Sequence, residues 1–122
     1  MFKYFIVFIG SGIGGSFRYW LSSLIHKYAP PYFPYGTFVI NILGSLILGW
    51  MIFGLDEKDL INPSLKLFIG IGFCGGFTTF STFSLETFNL MKNGEILLAG
   101  LNILLSVIIS LIGIYIAYLL TR

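Results

Sequence analysis

The residues of this chain with most to offer chemically are 75–84, Gly75-Gly76-Phe77-Thr78-Thr79-Phe80-Ser81-Thr82-Phe83-Ser84. Five hydroxyl side chains and three phenylalanines follow a pair of glycines, in the middle of a stretch otherwise apolar enough to cross a bilayer. Hydrocarbon tolerates irregular or polar backbone only where it is buried in protein or lines a wet cavity, so the segment points to a pathway or binding site inside the membrane. Gly70, Gly72, Gly75 and Gly76 weaken the helix leading into it, each by about 1 kcal/mol relative to alanine. The expectation is a discontinuous helix, broken near Gly75–Thr78, with backbone freed to hold ions as in several transporter folds. Phe77, Phe80 and Phe83 recur every third residue, with Thr79, Ser81, Thr82 and Ser84 between them. Phenylalanine at helical spacing is ordinarily packing. Here ring edges, which carry partial positive charge, and O–H donors come together with no acid before Glu86. That combination suits a small, hard anion, whereas a cation path calls for carboxylates or rings presented face-on.

Other polar residues fall within the apolar runs, each with a bland and a functional reading. Asn41 shares a helical face with Gly44, Ser45 and Gly49; its amide can donate two hydrogen bonds to an anion or bridge helices as structural glue. Arg18, followed by Tyr19 and Trp20, can snorkel to an aromatic belt or stabilise an anion at a vestibule. Asn102, Ser106 and Ser110, four apart, form one polar stripe, read either as serines bonded back to their own helix or as the lining of a water-filled path. Gly10/Gly14 and Gly12/Ser16 are small residues four apart, spaced for close helix packing. Cys74 and His26 stand alone, with no neighbour at metal-ligand spacing. No phosphate-binding loop, Ser-His-Asp set or carboxylate pair is present. The chain reads as no enzyme, and its net charge of +2, spread out rather than clustered, gives no reason to expect nucleic acid.

The elements that must carry these residues follow from composition. The chain is 57% hydrophobic and 10% charged, against about 25% charged in a soluble domain, so it lacks the polar surface to cover itself in water. The reading is an all-α integral membrane protein in the lipid bilayer, multi-pass in the cell (inner or plasma) membrane. A span needs about 20 apolar residues, and four candidates fit: 2–25, 36–54, 66–91 and 96–120, filling residues 1–122 as one transmembrane domain. Connectors carry the breakers Ala29-Pro30-Pro31 with Pro34, then Asn62-Pro63-Ser64, then Lys92-Asn93-Gly94. Arg18 and the lack of an Ala-x-Ala-like site argue against a cleaved leader. Four spans place Lys3, Lys58, Lys66 and Arg122 on one side and Lys27 and Lys92 on the other, a weak orientation bias compatible with insertion both ways round. Four short helices also make a meagre wall for a pore, so a homo-oligomer is expected, most simply a twofold dimer. If insertion is dual, that dimer is antiparallel.

Taken together, Gly14-Gly15-Ser16-Phe17-Arg18-Tyr19, Gly36-Thr37 with Asn41 and Gly44-Ser45, and the run from Gly72 to Ser84 with Glu86 resemble the Fluc/CrcB family of fluoride channels. The likeness covers essentially the whole chain. Residue 16 is Ser where the family often has Ala, and 77 is Phe where Leu is common. The resemblance implies a dual-topology antiparallel homodimer with two fluoride pathways. It implies a structural sodium ion (Na+) at the dimer centre, held by backbone carbonyls that map to Gly75 and Thr78. Phe80 and Phe83 would turn ring edges to fluoride, Asn41 would donate beside them, and Ser81, Thr82 and Glu86 would border the polar route. Ser106 and Ser110 would continue it, and Arg18 would sit near a vestibule. Export is then passive, down the electrochemical gradient, helped by an inside-negative potential worth about 2.3 kcal/mol per charge per 100 mV. The rival is a small multidrug-resistance-type proton-coupled exporter. That mechanism needs an embedded carboxylate, typically in the first span, where this chain has none.

Overall fold

The computed structural model describes residues 2–30 and 33–122; Pro31 of the first connector lies outside them. The described residues are helical apart from short connectors. Helix α1 is Phe2–Tyr28 and α2 is Tyr35–Asp56, ending in a wider i→i+5 turn over Trp50–Asp56. Helix α3 covers 63–77, also widened to i→i+5 bonding over Leu67–Cys74. Helix α4 is Phe80–Lys92 and α5 is Ile96–Thr121. The boundaries lie within about three residues of the four spans expected from hydropathy.

Local chemistry sets the ends. Asn62 caps α3, its Oδ1 accepting from the Leu65 N–H at 2.7 Å, with Pro63 at the first helical position. Gly94, at φ +82°, closes α4 with its own N–H on the Met91 carbonyl and the Glu95 N–H on the Leu90 carbonyl, the paired bonds of a Schellman end. Asp56 pairs with Lys66 at 3.0 Å, and Lys58 donates to the Thr121 carbonyl, gathering the ends of three helices.

Helix α1 lies along α3 and α2 lies along α5, with α1 also touching α2 and α4 resting on α5. The α1–α3 approach is close enough that backbone meets backbone. A Cβ on Gly14 would stand 2.2 Å from the Phe73 carbonyl oxygen, and one on Gly10 would stand 2.7 Å from that of Phe68. The other small pair, Gly12/Ser16, is exposed, with nothing within 4 Å of a Cβ on Gly12. Only Gly10/Gly14 serves the packing face that the sequence suggested.

Few large side chains are enclosed. Phe8, Tyr19, Ile71, Leu97, Leu104 and Leu120 are among many apolar residues left exposed, far more than water-soluble monomers tolerate. Three helical stretches, Tyr35–Asp56, Pro63–Lys92 and Ile96–Thr121, are long and apolar enough to cross a membrane. The 27-residue α1 has the length, but its glycines, serines and Arg18 dilute its hydropathy because it spends one face on α3.

Candidate functional site

The span that begins at Pro63 does break, though two residues later than its glycines suggest. Gly75–Phe77 remains helical; Thr78 (φ −124°, ψ 113°) and Thr79 (φ −120°, ψ 120°) are extended, and α4 starts afresh at Phe80. Gly76 serves close approach instead of flexibility, since a Cβ there would lie 2.3 Å from the Ser11 carbonyl oxygen. The two threonines stabilise the interruption. Thr78 Oγ1 donates to the Cys74 carbonyl at 2.7 Å, and Thr79 Oγ1 accepts the Thr82 N–H at 3.2 Å, capping α4. Helix ends leave carbonyls without intrahelical partners; the Gly76 carbonyl accepts from Arg18 Nε at 3.1 Å.

That bond is where the structure places Arg18. Arg18→Leu removes the donor and leaves a half-buried carbonyl unsatisfied, at a cost of about 1–3 kcal/mol. The expected result is a thermal midpoint in detergent lower by roughly 5 °C or more. A midpoint unchanged from wild type would show that the carbonyl needs no such donor.

Beside the break, α2, α4 and α5, with Cys74 of α3, border an open pocket of about 340 Å³. Thr78, Thr79, Phe80 and Phe83 line it from the broken span, Asn41 and Ser45 from α2, and Ser106 and Ser110 from α5. No charged side chain lines it among the described residues. The Phe80 and Phe83 rings are 5.7 Å apart and tilted by 42°. Phe77, third in the sequence periodicity, is on the other side of the break, buried and stacked on Phe73 at 5.5 Å. Asn41 makes no hydrogen bond among the described residues, and its Oδ1 is buried without a partner. It therefore bridges no helices within the protomer. Gly44 admits the break itself, since a Cβ there would fall 2.0 Å from Thr78 Cγ2.

Ser81 and Thr82 do not line this cavity. They belong to the hydroxyl cluster at the start of α4, with Thr79 Oγ1 3.3 Å from Ser81 Oγ and 3.2 Å from Thr82 Oγ1. Gly75 is also outside it, exposed, with nothing within 4 Å of a Cβ placed there. Glu86 lines a second cavity, of about 390 Å³, with His26, Pro34, Asn89 and Asn93 at the connector end of α4. Its carboxylate faces the Thr37 hydroxyl while Oε1 is buried without a partner. Thr37 and Asn41 are four apart on α2, Phe83 and Glu86 three apart on α4, so the two cavities lie one helical turn from each other. Sequence reading gave no role to Cys74, which is buried and lines the first cavity; its place one turn before Thr78 was the available signal. Thr87, in the hydrogen-bond network taken up below, was missed entirely.

A family model described as "CrcB-like protein, Camphor Resistance (CrcB)" matches residues 5–118. Over 117 residues, 94% of this chain and 89% of the relative, the sequence is 41% identical to the "Fluoride-specific ion channel FluC" of Methylocella silvestris. A protein of the same description from Geotalea daltonii is 42% identical over 109 residues, 88% of each chain. Another, from Pyrococcus horikoshii, is 41% identical over 118 residues, 96% of this chain and 94% of its own.

Proposed function

The chain belongs to the CrcB family, and from that premise we propose that it is a fluoride channel whose path runs through the cavity beside the break in its third span. The observation that carries this is the lining. Two tilted aromatic rings, an unengaged amide and several hydroxyls converge on one uncharged space. Ring edges and polarised O–H and N–H groups can replace part of a small anion's hydration shell, and α4 begins at that space with the positive end of its dipole. Phe80, Phe83 and Asn41 contact the ion, Ser106 and Ser110 extend the polar route along α5, and Ser81 and Thr82 supply further hydroxyls at the head of α4. Glu86 borders the route one turn away, in the cavity shared with His26, and Arg18, bonded to the Gly76 carbonyl beside the break, would face a vestibule outside both cavities. Fluoride leaves the cell passively, and Glu86, set apart from the central cavity, is not placed to exchange protons there as a multidrug exporter would require.

The functional unit in this reading is an antiparallel homodimer in a multi-pass arrangement in the cell membrane. Phe80 is 78% exposed and Ile71 63% exposed beside the open Gly75, a face better suited to a second copy than to lipid because it includes the polar break. The residues there fit a sodium ion at the twofold centre. The extended backbone after Phe77 leaves the Gly75 carbonyl without a following helical N–H, and a Cβ on Gly75 would have nothing within 4 Å. Gly75 and Thr78 would hold the ion through carbonyl oxygens from both copies, and the ion would supply charge that ties those dipoles together.

Reconstituted vesicles test the proposal. With sodium present and equal pH on both sides, fluoride measured by a selective electrode is expected to leave rapidly while chloride is retained. Flux that requires an imposed proton gradient, or no flux at all, would remove the reading. Replacing sodium throughout by N-methylglucamine is expected to lower fluoride flux several-fold, and flux indifferent to sodium would remove the cation from the scheme.

A further inference from the structure

Asn102 is the most deeply buried polar side chain among those described, 1% exposed, and the path above makes no use of it. A buried amide is costly unless hydrogen-bonded. Its Nδ2 donates to Thr87 Oγ1 across to α4 at 2.8 Å, and its Oδ1 accepts from Ser106 Oγ at 3.3 Å. Thr87, also buried, donates its own proton to the Phe83 carbonyl at 2.8 Å. The donors therefore point one way along a chain, Ser106 to Asn102 to Thr87 to Phe83. Both ends of this chain line the central cavity, from opposite helices, and the two middle members do not.

Helix α4 has particular need of such a tie. It is joined to α3 only through the extended pair Thr78–Thr79, so no continuous helix fixes its rotation, and that rotation sets where the Phe83 ring points. We infer that Asn102 and Thr87 are positioning residues, a brace holding the Phe83 ring and the Ser106 hydroxyl at a fixed separation across the path, an inference that rests on the fluoride-channel reading. The plainer alternative is glue between helices with no bearing on permeation. The network favours the brace because it terminates on pathway residues at both ends and reaches the backbone of the ring-bearing residue itself.

The test compares Thr87→Val, which keeps volume and loses both hydroxyl bonds, with Thr87→Ser, which keeps the hydroxyl, and with Asn102→Leu. Fluoride flux per assembled protein in sodium-containing vesicles is measured against fluoride concentration. Thr87→Val and Asn102→Leu are expected to lower maximal flux about tenfold, as loosened positioning does without loss of a contacting group, and to shift the half-saturating fluoride concentration. Thr87→Ser is expected within about twofold of wild type. The double variant should be no worse than Asn102→Leu alone, because both remove one shared bond. Wild-type flux in assembled Thr87→Val overturns the brace, as do losses that multiply in the double variant. So does a Thr87→Val protein that fails to assemble while Thr87→Ser assembles, which reduces the pair to glue. Should Asn102→Leu not assemble, Thr87→Val decides alone. An inactive wild type would instead remove the channel reading itself.

Discussion

Phe83→Ile is expected to cut fluoride flux in reconstituted vesicles by about 100-fold while the protein still assembles. Isoleucine restores much of the apolar volume, and Phe83 is only half-buried in the protomer, so the fold should tolerate it. What disappears is the ring edge, with its partial positive charge, from the wall of an uncharged cavity. Loss of one preorganised electrostatic contact costs about 100-fold or more, some 2.7 kcal/mol. Phe80→Ile is the cleaner companion, because Phe80 is 78% exposed in the protomer and its replacement removes no protomer core. Flux measured alongside size-exclusion chromatography separates the outcomes. Either variant conducting within about twofold of wild type would remove ring edges from the mechanism.

Gly76→Ala should abolish assembly or lower the thermal midpoint by well over 10 °C. The added methyl carbon would meet Ser11 backbone atoms at 2.3, 2.8 and 2.9 Å, and no rotamer change can move backbone aside. Helices α1 and α3 must separate, displacing Gly14 from the Phe73 carbonyl and Arg18 from the Gly76 carbonyl. Overpacking a tight contact costs about 1–3 kcal/mol even where side chains can yield, so at least the upper part of that range applies. Gly12→Ala is the matched control, in the facing helix α1 one residue from Ser11, with nothing within 4 Å of the new atom. Equal thermal midpoints for Gly76→Ala and Gly12→Ala would refute the packing account.

These two residues also show what the sequence makes legible. Charges confined to gaps between apolar runs located the helix ends, because a buried charge is costly and its position is therefore informative. The polar run 75–84 located the break, which falls at the Thr78 edge of the expected Gly75–Thr78 range and not at the glycines themselves. Gly75 and Gly76 can end a helix or let another helix approach, and only the presence of Ser11 alongside Gly76 selects the second use. The three-residue phenylalanine rhythm likewise ran across the interruption. Phe77 belongs to the α1–α3 core, whereas Phe80 and Phe83 belong to the cavity, and no periodicity can see an axis change. Asn41 was found because it shares a helical face with the small residues Gly44, Ser45 and Gly49, and Ser106 and Ser110 because with Asn102 they form a polar stripe spaced by four on an otherwise apolar helix. Thr87 was invisible because a single threonine in a helix usually bonds its own backbone; it does so here, to Phe83, and additionally accepts from Asn102.

Arg18 and Gly76 are 58 residues apart, and this separation has a consequence for how the protein is made. At about 5–20 residues per second, the arginine of α1 emerges roughly 3–12 s before the carbonyl that will receive it. During that interval α1 is the least apolar of the long helices, its arginine lacks the carbonyl it will bond, and only α2, which touches it less extensively than α3 will, is there to lie against. Its close backbone-to-backbone contact is made only when α3 arrives. The Arg18–Gly76 bond and the α1–α3 contact thus form only once the third helix has emerged, so the half of the bundle that holds α1 is completed late in synthesis.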